Sequence, residues 1–168
     1  MAQGKAILVT GTPGSGKTTL AKWICAKYGF THLEGTSFVK AKRLHIGYDR
    51  ARRCYIVDPK DFSRALALYV KENPQIVVID SLISHFFPQK RAFFCIVTHC
   101  DLPILRKRLQ KRGYGPKKVR ENLDSEIFRV CEMEARERGH SIIAIDTTSP
   151  IALKRSLSAL EKAIMRLK

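Results

Sequence analysis

Acidic residues are scarce in this 168-residue chain: 15 Asp and Glu stand against 31 Lys and Arg, a formal net charge of +16 at pH 7. That balance excludes an acidic solvating chain, and it exceeds what binding one small anion requires. The five cysteines, at positions 25, 54, 95, 100 and 131, are odd in number and contain no C-x-x-C pair. Cys25, Cys95 and Cys131 fall among apolar neighbours, so the expectation is small core residues in a reducing compartment, with a cytoplasmic location. The five histidines are scattered, and no metal-ligand cluster is visible. No apolar run approaches the roughly 20 residues a membrane helix needs, so no membrane partner is expected. The chain enters an apolar strand at once, leaving no room for a signal peptide. Its length suits one domain over residues 1–168, expected as a monomer.

Against those absences stands one dense motif. Gly11 to Thr18 read G-T-P-G-S-G-K-T, directly after Ala6-Ile7-Leu8-Val9 and directly before Leu20-Ala21-Lys22-Trp23-Ile24. A strand before and a helix after are the context a phosphate-binding loop requires. The glycines let successive backbone N–H groups turn inward onto phosphate oxygens, and the helix N-terminus adds a favourable field. Lys17 can reach the β- and γ-phosphates, and the Thr18 hydroxyl can bind Mg²⁺. The expected ligand is a nucleoside triphosphate.

The basic excess is clustered. Leu102 to Arg120 hold eight Lys or Arg and no acid, and Lys40, Lys42, Arg43, Arg50, Arg52 and Arg53 surround the single Asp49. Two readings stand side by side: a solvated cationic surface, or an electrostatic footprint for RNA or a ribonucleoprotein. Little aromatic interleaving accompanies these runs, so a base-stacking module is not expected.

Strand and helix patterns alternate throughout. Strands are expected at Lys5–Thr10, Thr31–Leu33, Gln75–Asp80, Phe93–Val97 and Ser141–Ile145. Helices are expected from Thr18 to about Tyr28, after the Asp58-Pro59 cap through Val70, and after Asp101 through Leu102, Leu105 and Leu109. Gly113 to Pro116 break the chain, a further helix carries Val119, Leu123, Ile127 and Val130, and Ser149-Pro150 open the last. About five strands with helical crossovers imply an α/β fold, a parallel sheet covered on both faces.

Asp80 ends the apolar strand Ile76–Ile79, where ligands sit in open α/β sheets, and its carboxylate can hold Mg²⁺ through water. Thr98-His99-Cys100-Asp101 only superficially resembles a guanine-reading motif, and no D-x-x-G switch follows Asp80; Asp101 reads as a helix N-cap instead. Arg108 and Arg112, four apart on one helix face, lead into Gly113-Tyr114-Gly115 as arginines of a short lid would, where they could fork onto transferring phosphates.

Several runs occur in one order and spacing: G-T-P-G-S-G-K-T-T, Tyr48-Asp49, Ile56-Val57-Asp58, Asp80 followed by Phe86-Phe87-Pro88, Arg108-Leu109 with Arg112-Gly113-Tyr114, and Glu126-Ile127. With them the chain resembles the adenylate kinase isoenzyme 6 family, small ATPases with nucleoside monophosphate kinase activity that assist small ribosomal subunit maturation. The resemblance runs from Lys5 to about Ile145 and implies a three-layer phosphate-loop fold of nucleoside monophosphate kinase type. It implies that Gly14, Gly16, Lys17, Thr18 and Thr19 bind ATP phosphates and that Arg112 contacts ATP from a lid at 111–121. Residues 31–54 would form a monophosphate-binding insert. AMP or another monophosphate would be the acceptor, ATP and Mg²⁺ the cofactors, and a small-subunit protein or rRNA the partner.

Two positions depart from the family. Its histidine two residues after the strand-end acid, tied to ATP hydrolysis, is here Leu82, and the nearest histidine is His85. Leucine cannot accept a proton, so either turnover is slow or His85 substitutes. Thr36 to Ile46 are strongly basic where the family carries acids. The expected catalytic set is Lys17, Asp80, Arg108, Arg112 and His85, with Thr18 and Asp80 on the metal. Alternatives are a non-catalytic assembly factor switched by ATP and a housekeeping small-molecule kinase.

Overall fold

Ala6–Gly11 (β1) is buried at every position, as a strand covered on both faces must be. It appears in a computed structural model that describes residues 6–167; Lys5, the first residue of the expected strand, lies outside them. The chain continues through Lys17–Tyr28 (α1), Thr31–Glu34 (β2), Gly35–Lys42 (α2), His45–Asp49 (β3), Cys54–Val57 (β4) and Pro59–Glu72 (α3). Val77–Asp80 (β5), Ala92–His99 (β6), Leu102–Lys111 (α4), Pro116–Ile127 (α5), Val130–Glu137 (α6), Ile142–Asp146 (β7) and Pro150–Met165 (α7) complete it.

The main sheet has five parallel strands in the order β2-β5-β1-β6-β7. Because β1 is central, Val9 pairs with Asp80 on one side and Gly11 with Thr98 on the other. The phosphate loop, the strand-end acid and the end of β6 therefore share the C-terminal edge, where an open α/β sheet binds its ligands.

Alternation divides the strands between two core layers. Leu8, Ile79 and Val97 pack on the face that holds Phe62, Leu66 and Val70 of α3, with Phe87 and Cys131. Ile7, Val9, Val78 and Ile96 pack on the other, with Leu20 and Ile24 of α1 and Leu160 and Ile164 of α7. A third cluster of Leu105, Leu109, Val119 and Leu123 joins α4 to α5. The three-layer arrangement agrees with the expectation.

Local signals were honoured where the chemistry was local. The Asp58 carboxylate accepts the Lys60 N–H at 2.7 Å with Pro59 in the first turn, and Ser149 Oγ accepts the Ala152 N–H at 3.2 Å. Several expectations need correction. Asp101 stands at the N-cap of α4 as expected, but its side chain makes no capping bond; its own N–H donates to Thr148 Oγ1 at 2.9 Å. The helix expected through Val130 stops at Ile127, because Arg129 turns left-handed (φ 49), and Ile127 is left 54% exposed. The strand expected from Gln75 begins at Val77, and the last begins at Ile142. The insert carries α2 and an antiparallel β3–β4 hairpin that the sequence reading did not foresee. Cys95 and Cys131 are buried as expected; Cys25 is half-buried, Cys100 is buried and Cys54 exposed. No helix among the described residues is long and apolar enough to cross a membrane.

Candidate nucleotide-binding site

Between β1 and α1 the chain turns through Gly14 and Gly16, at φ 87 and 88. Side chains rarely adopt this conformation, and a Cβ on Gly14 would stand 3.1 Å from Leu105 Cδ1. The loop also closes on itself, the Ser15 N–H donating to Thr12 O at 3.1 Å. Lys17 Nζ folds over its mouth, donating to Gly11 O at 2.8 Å and Thr12 O at 3.1 Å. Burial lowers the Lys17 pKa, and the Asp80 carboxylate opposes that shift. A triphosphate would exchange these carbonyl partners for anionic oxygens and restore the full stability of the cation.

Thr18 and Thr19 follow in the first turn of α1 with exposed side chains. Asp80 is 3% exposed, and among the described residues its Oδ2 has no hydrogen-bond partner. An orphaned carboxylate oxygen at this sheet edge, with a free threonine hydroxyl on the neighbouring helix, fits Mg²⁺, a hard cation that takes oxygen ligands. His32 Nε2 on β2 lies 3.5 Å from that same oxygen, placing an imidazole beside the acid. Sequence reading missed this neighbour, because strand pairing and not sequence proximity brings it there.

The two expected arginines line one cavity but differ in their protein partners. Arg108 Nη2 donates to Thr147 O at 2.7 Å, and Nη1 reaches Thr147 Oγ1 at 3.2 Å, Cys100 Sγ at 3.3 Å and Gly14 O at 3.4 Å. Its guanidinium thus ties the back of the phosphate loop to the segment after β7. Arg112, at the end of α4, lines an open cavity of about 780 Å³ with Arg108 and Lys111. Trp23, Leu153 and Leu157 give the cavity apolar lining, and Gly14, Gly16 and Thr147–Pro150 line it as well. Apolar walls, three cations and the phosphate loop suit a nucleobase with its phosphates. The Thr147–Pro150 segment was also missed; its place after a strand of the parallel sheet is the signal that could have found it.

A third missed feature lies behind the loop. Glu126, in the last turn of α5, is 9% exposed, and its Oε2 accepts the Thr12 hydroxyl at 2.6 Å. Its Oε1 accepts the Cys100 N–H at 3.0 Å and His99 Nδ1 at 3.3 Å. Burial pushes the Glu126 pKa up, but hydrogen bonds from His99, Thr12 and Cys100 outweigh it and hold the carboxyl below its ordinary value. The last turn of α5 is thereby anchored to the phosphate loop.

His85 is 1% exposed in the short turn Ser84–Phe86. Its Nε2 donates to Glu134 Oε2 at 2.8 Å, and Nδ1 faces Thr10 Oγ1 at 3.0 Å. Burial lowers its pKa although Glu134 opposes the shift, and each ring nitrogen lies at hydrogen-bond distance from a partner. Leu82, 44% exposed, gives its carbonyl to the Thr10 hydroxyl at 2.9 Å.

A family model described as an AAA domain matches residues 7–129. An adenylate kinase isoenzyme 6 homolog of Dictyostelium discoideum is 36% identical over 143 residues, covering 85% of this chain and 81% of the relative. One of Saccharomyces cerevisiae is 32% identical over 147 residues, covering 87% and 74%. Among solved structures, shikimate kinase from Bacteroides thetaiotaomicron aligns with a TM-score of 0.58 at 15% identity, over 96% of this chain and 98% of that one; it speaks for the fold alone. Identity sustained over most of the chain and a phosphate-loop kinase fold make this a nucleotide-binding, kinase-like NTPase of phosphotransferase type, and the chain belongs to the adenylate kinase isoenzyme 6 family.

Proposed function

We propose that the protein is a Mg-ATP-dependent adenylate kinase and ATPase that acts in small ribosomal subunit maturation. The observation that carries the reading is the pairing of Val9 with Asp80, which brings a carboxylate oxygen without a hydrogen bond among the described residues to the sheet edge where β1 runs into the phosphate loop and the Lys17 ammonium at the start of α1. Lys17, Thr18, Thr19 and the glycine turn would hold the phosphates, and Thr18 and Asp80 the Mg²⁺, which would neutralise charge developing on the transferred group. Arg112 would contact ATP from a lid at 111–121, with Arg108 fixing the loop beneath it. Transfer would go to AMP or another monophosphate seated on the insert 31–54, or to water, by positioning and charge neutralisation without a covalent enzyme intermediate. The names of the relatives favour adenylate kinase chemistry, and the basic surface favours a ribosomal RNA or ribonucleoprotein partner.

The experiment is a turnover assay with AMP, with other monophosphates and with no acceptor, each with and without purified small subunits. Transfer or hydrolysis that small subunits stimulate supports the reading. A second reading, ATP binding as a switch in a non-catalytic assembly factor, is favoured by one observation: beside Asp80, Leu82 offers no proton acceptor, and His85 has both nitrogens engaged. Nucleotide binding with no turnover under any of these conditions would select it.

A further inference from the structure

Among the described residues, three non-glycine residues have positive φ, and all three are arginines: Arg43 (52), Arg53 (50) and Arg129 (49). Glycine or asparagine adopts this conformation more cheaply, so an arginine there spends stability to keep a guanidinium in place. Two of the three flank one feature, the β3–β4 hairpin. Arg43 closes α2 just before it, and Arg53 turns its tip.

The hairpin also assembles rings that the sequence scatters. Tyr48 and Tyr55 are directly paired across the strands, their ring centroids 5.3 Å apart and their planes edge to face at 71°, and the His45 ring lies 4.9 Å from Tyr55, tilted by 34°. Tyr48 is 51% exposed and His45 is exposed, while Tyr55 is half-buried against the core and so fixes the row. Lys40 Nζ stands 5.6 Å from the Tyr55 ring. Lys42, Arg43, Arg50 and Arg53 are exposed around the row, and no ion pair engages them among the described residues. The acid of the hairpin, Asp49, is occupied by Arg52, which also grips Glu121 of α5.

We propose that this hairpin face is a binding platform for single-stranded RNA, the bases lying on the His45–Tyr55–Tyr48 row and the phosphates on the surrounding cations. Two exposed rings, each in ring contact with Tyr55, beside cations without ion pairs, suit a strand with unstacked bases; a duplex hides its base faces, and an acidic protein offers none. The choice of RNA over other strands rests on the ribosomal role proposed above. The platform gives that role a location and makes the basic insert a partner contact.

The test is fluorescence anisotropy with a labelled RNA of roughly 12 nucleotides, within the usual span of such sites, titrated across a salt series. Arg43→Gly with Arg53→Gly removes two phosphate contacts while relieving backbone strain, so the double variant should fold at least as stably as the parent. Its salt slope, log K against log [salt], should flatten by about 1.4, near 0.7 per lost contact on a single strand. Tyr48→Ala should weaken binding about tenfold with the slope unchanged, because stacking is insensitive to salt. Duplex RNA of the same sequence and polyglutamate should bind more weakly than the strand. Equal binding of either competitor, or unchanged affinity in both variants, would overturn the platform. ATP turnover is measured in parallel: turnover kept while RNA binding is absent overturns the platform alone, whereas RNA binding kept in a protein inert toward nucleotides overturns the phosphotransferase reading alone.

Discussion

Replacing Glu126 measures how firmly α5 holds the phosphate loop. Its carboxylate receives Thr12 Oγ1–H at 2.6 Å, the Cys100 N–H at 3.0 Å and His99 Nδ1 at 3.3 Å. Glu126→Ala strands these donors in a buried place, and each unsatisfied donor costs about 1–3 kcal/mol. The Thr12 hydroxyl can rotate to another acceptor, but the Cys100 N–H cannot. The expected loss is roughly 2–5 kcal/mol, a large share of the 5–15 kcal/mol typical of a folded domain. Glu126→Gln keeps an acceptor for Cys100 and turns its amide toward Thr12, so about 1 kcal/mol should go. The sign with pH follows from the lowered folded pKa. The carboxylate's contribution is fully present above the unfolded value, near 4.3, and is lost as pH falls through the folded value, so the gap between parent and Glu126→Gln should narrow in acid. Thr12 also gives its carbonyl to Lys17, so Glu126→Ala should raise the KM for ATP about tenfold, the worth of one hydrogen bond. Urea melts between pH 3 and pH 7, with ATP kinetics at pH 7, read all of this. A loss below about 1 kcal/mol in Glu126→Ala, with unchanged KM, would refute the anchoring argument.

Three further tests bear on the site. Lys17→Ala should abolish nucleotide turnover while leaving the circular dichroism spectrum intact, since the ammonium is poised for phosphates and is not a packing element; equal turnover in both proteins would remove the loop from the mechanism. ATP affinity should fall as pH rises through the alkaline range, because the lowered Lys17 pKa makes the free protein give up a proton that phosphate binding must restore; calorimetry in buffers of differing ionisation enthalpy would register the uptake, and its absence would count against a poised lysine. Leu82→His should raise ATP hydrolysis with little change in affinity, by less than the roughly 10²–10⁴-fold that acid–base help is worth in a native site. Its companion His85→Ala should cost about 2–3 kcal/mol of stability, from two lost hydrogen bonds and a cavity, whether or not hydrolysis falls; selective loss of hydrolysis at unchanged stability would show that the ring works on water after all.

The parts of this molecule that were legible in its sequence are those whose conformation is encoded where it occurs. Gly14 and Gly16 turn left-handed because of what they are, Asp58 caps the helix that begins beside it, and the apolar run ending in Asp80 makes a strand buried on both faces. The β3–β4 hairpin was hidden because its pattern carries no clean inside and outside: Ile46 and Ile56 stay exposed at 74% and 46%, and the turn residue is Arg53 where glycine would have announced it. The end of α5 was hidden for the same reason, since Val119, Leu123, Ile127 and Val130 keep helical spacing straight across the break at Arg129.

The site divides along the same line. The phosphate loop is a local code and could be read, as could the acid that closes β5. The partners that hold those residues are not local: Glu126 meets Thr12 across 114 residues, Arg108 meets Gly14 across 94, and His32 reaches Asp80 only because β2 pairs with β5. Arg108 makes the point most sharply. From the sequence it is one cation among eight in a basic run, and its spacing of four from Arg112 ahead of Gly113-Tyr114-Gly115 sends it to a phosphate. In the fold the half-buried guanidinium donates to Thr147, Cys100 and the Gly14 carbonyl while it also lines the cavity beside Arg112. Charge in a sequence therefore marks a group that will demand partners, and the topology decides whether those partners are a ligand or the protein itself.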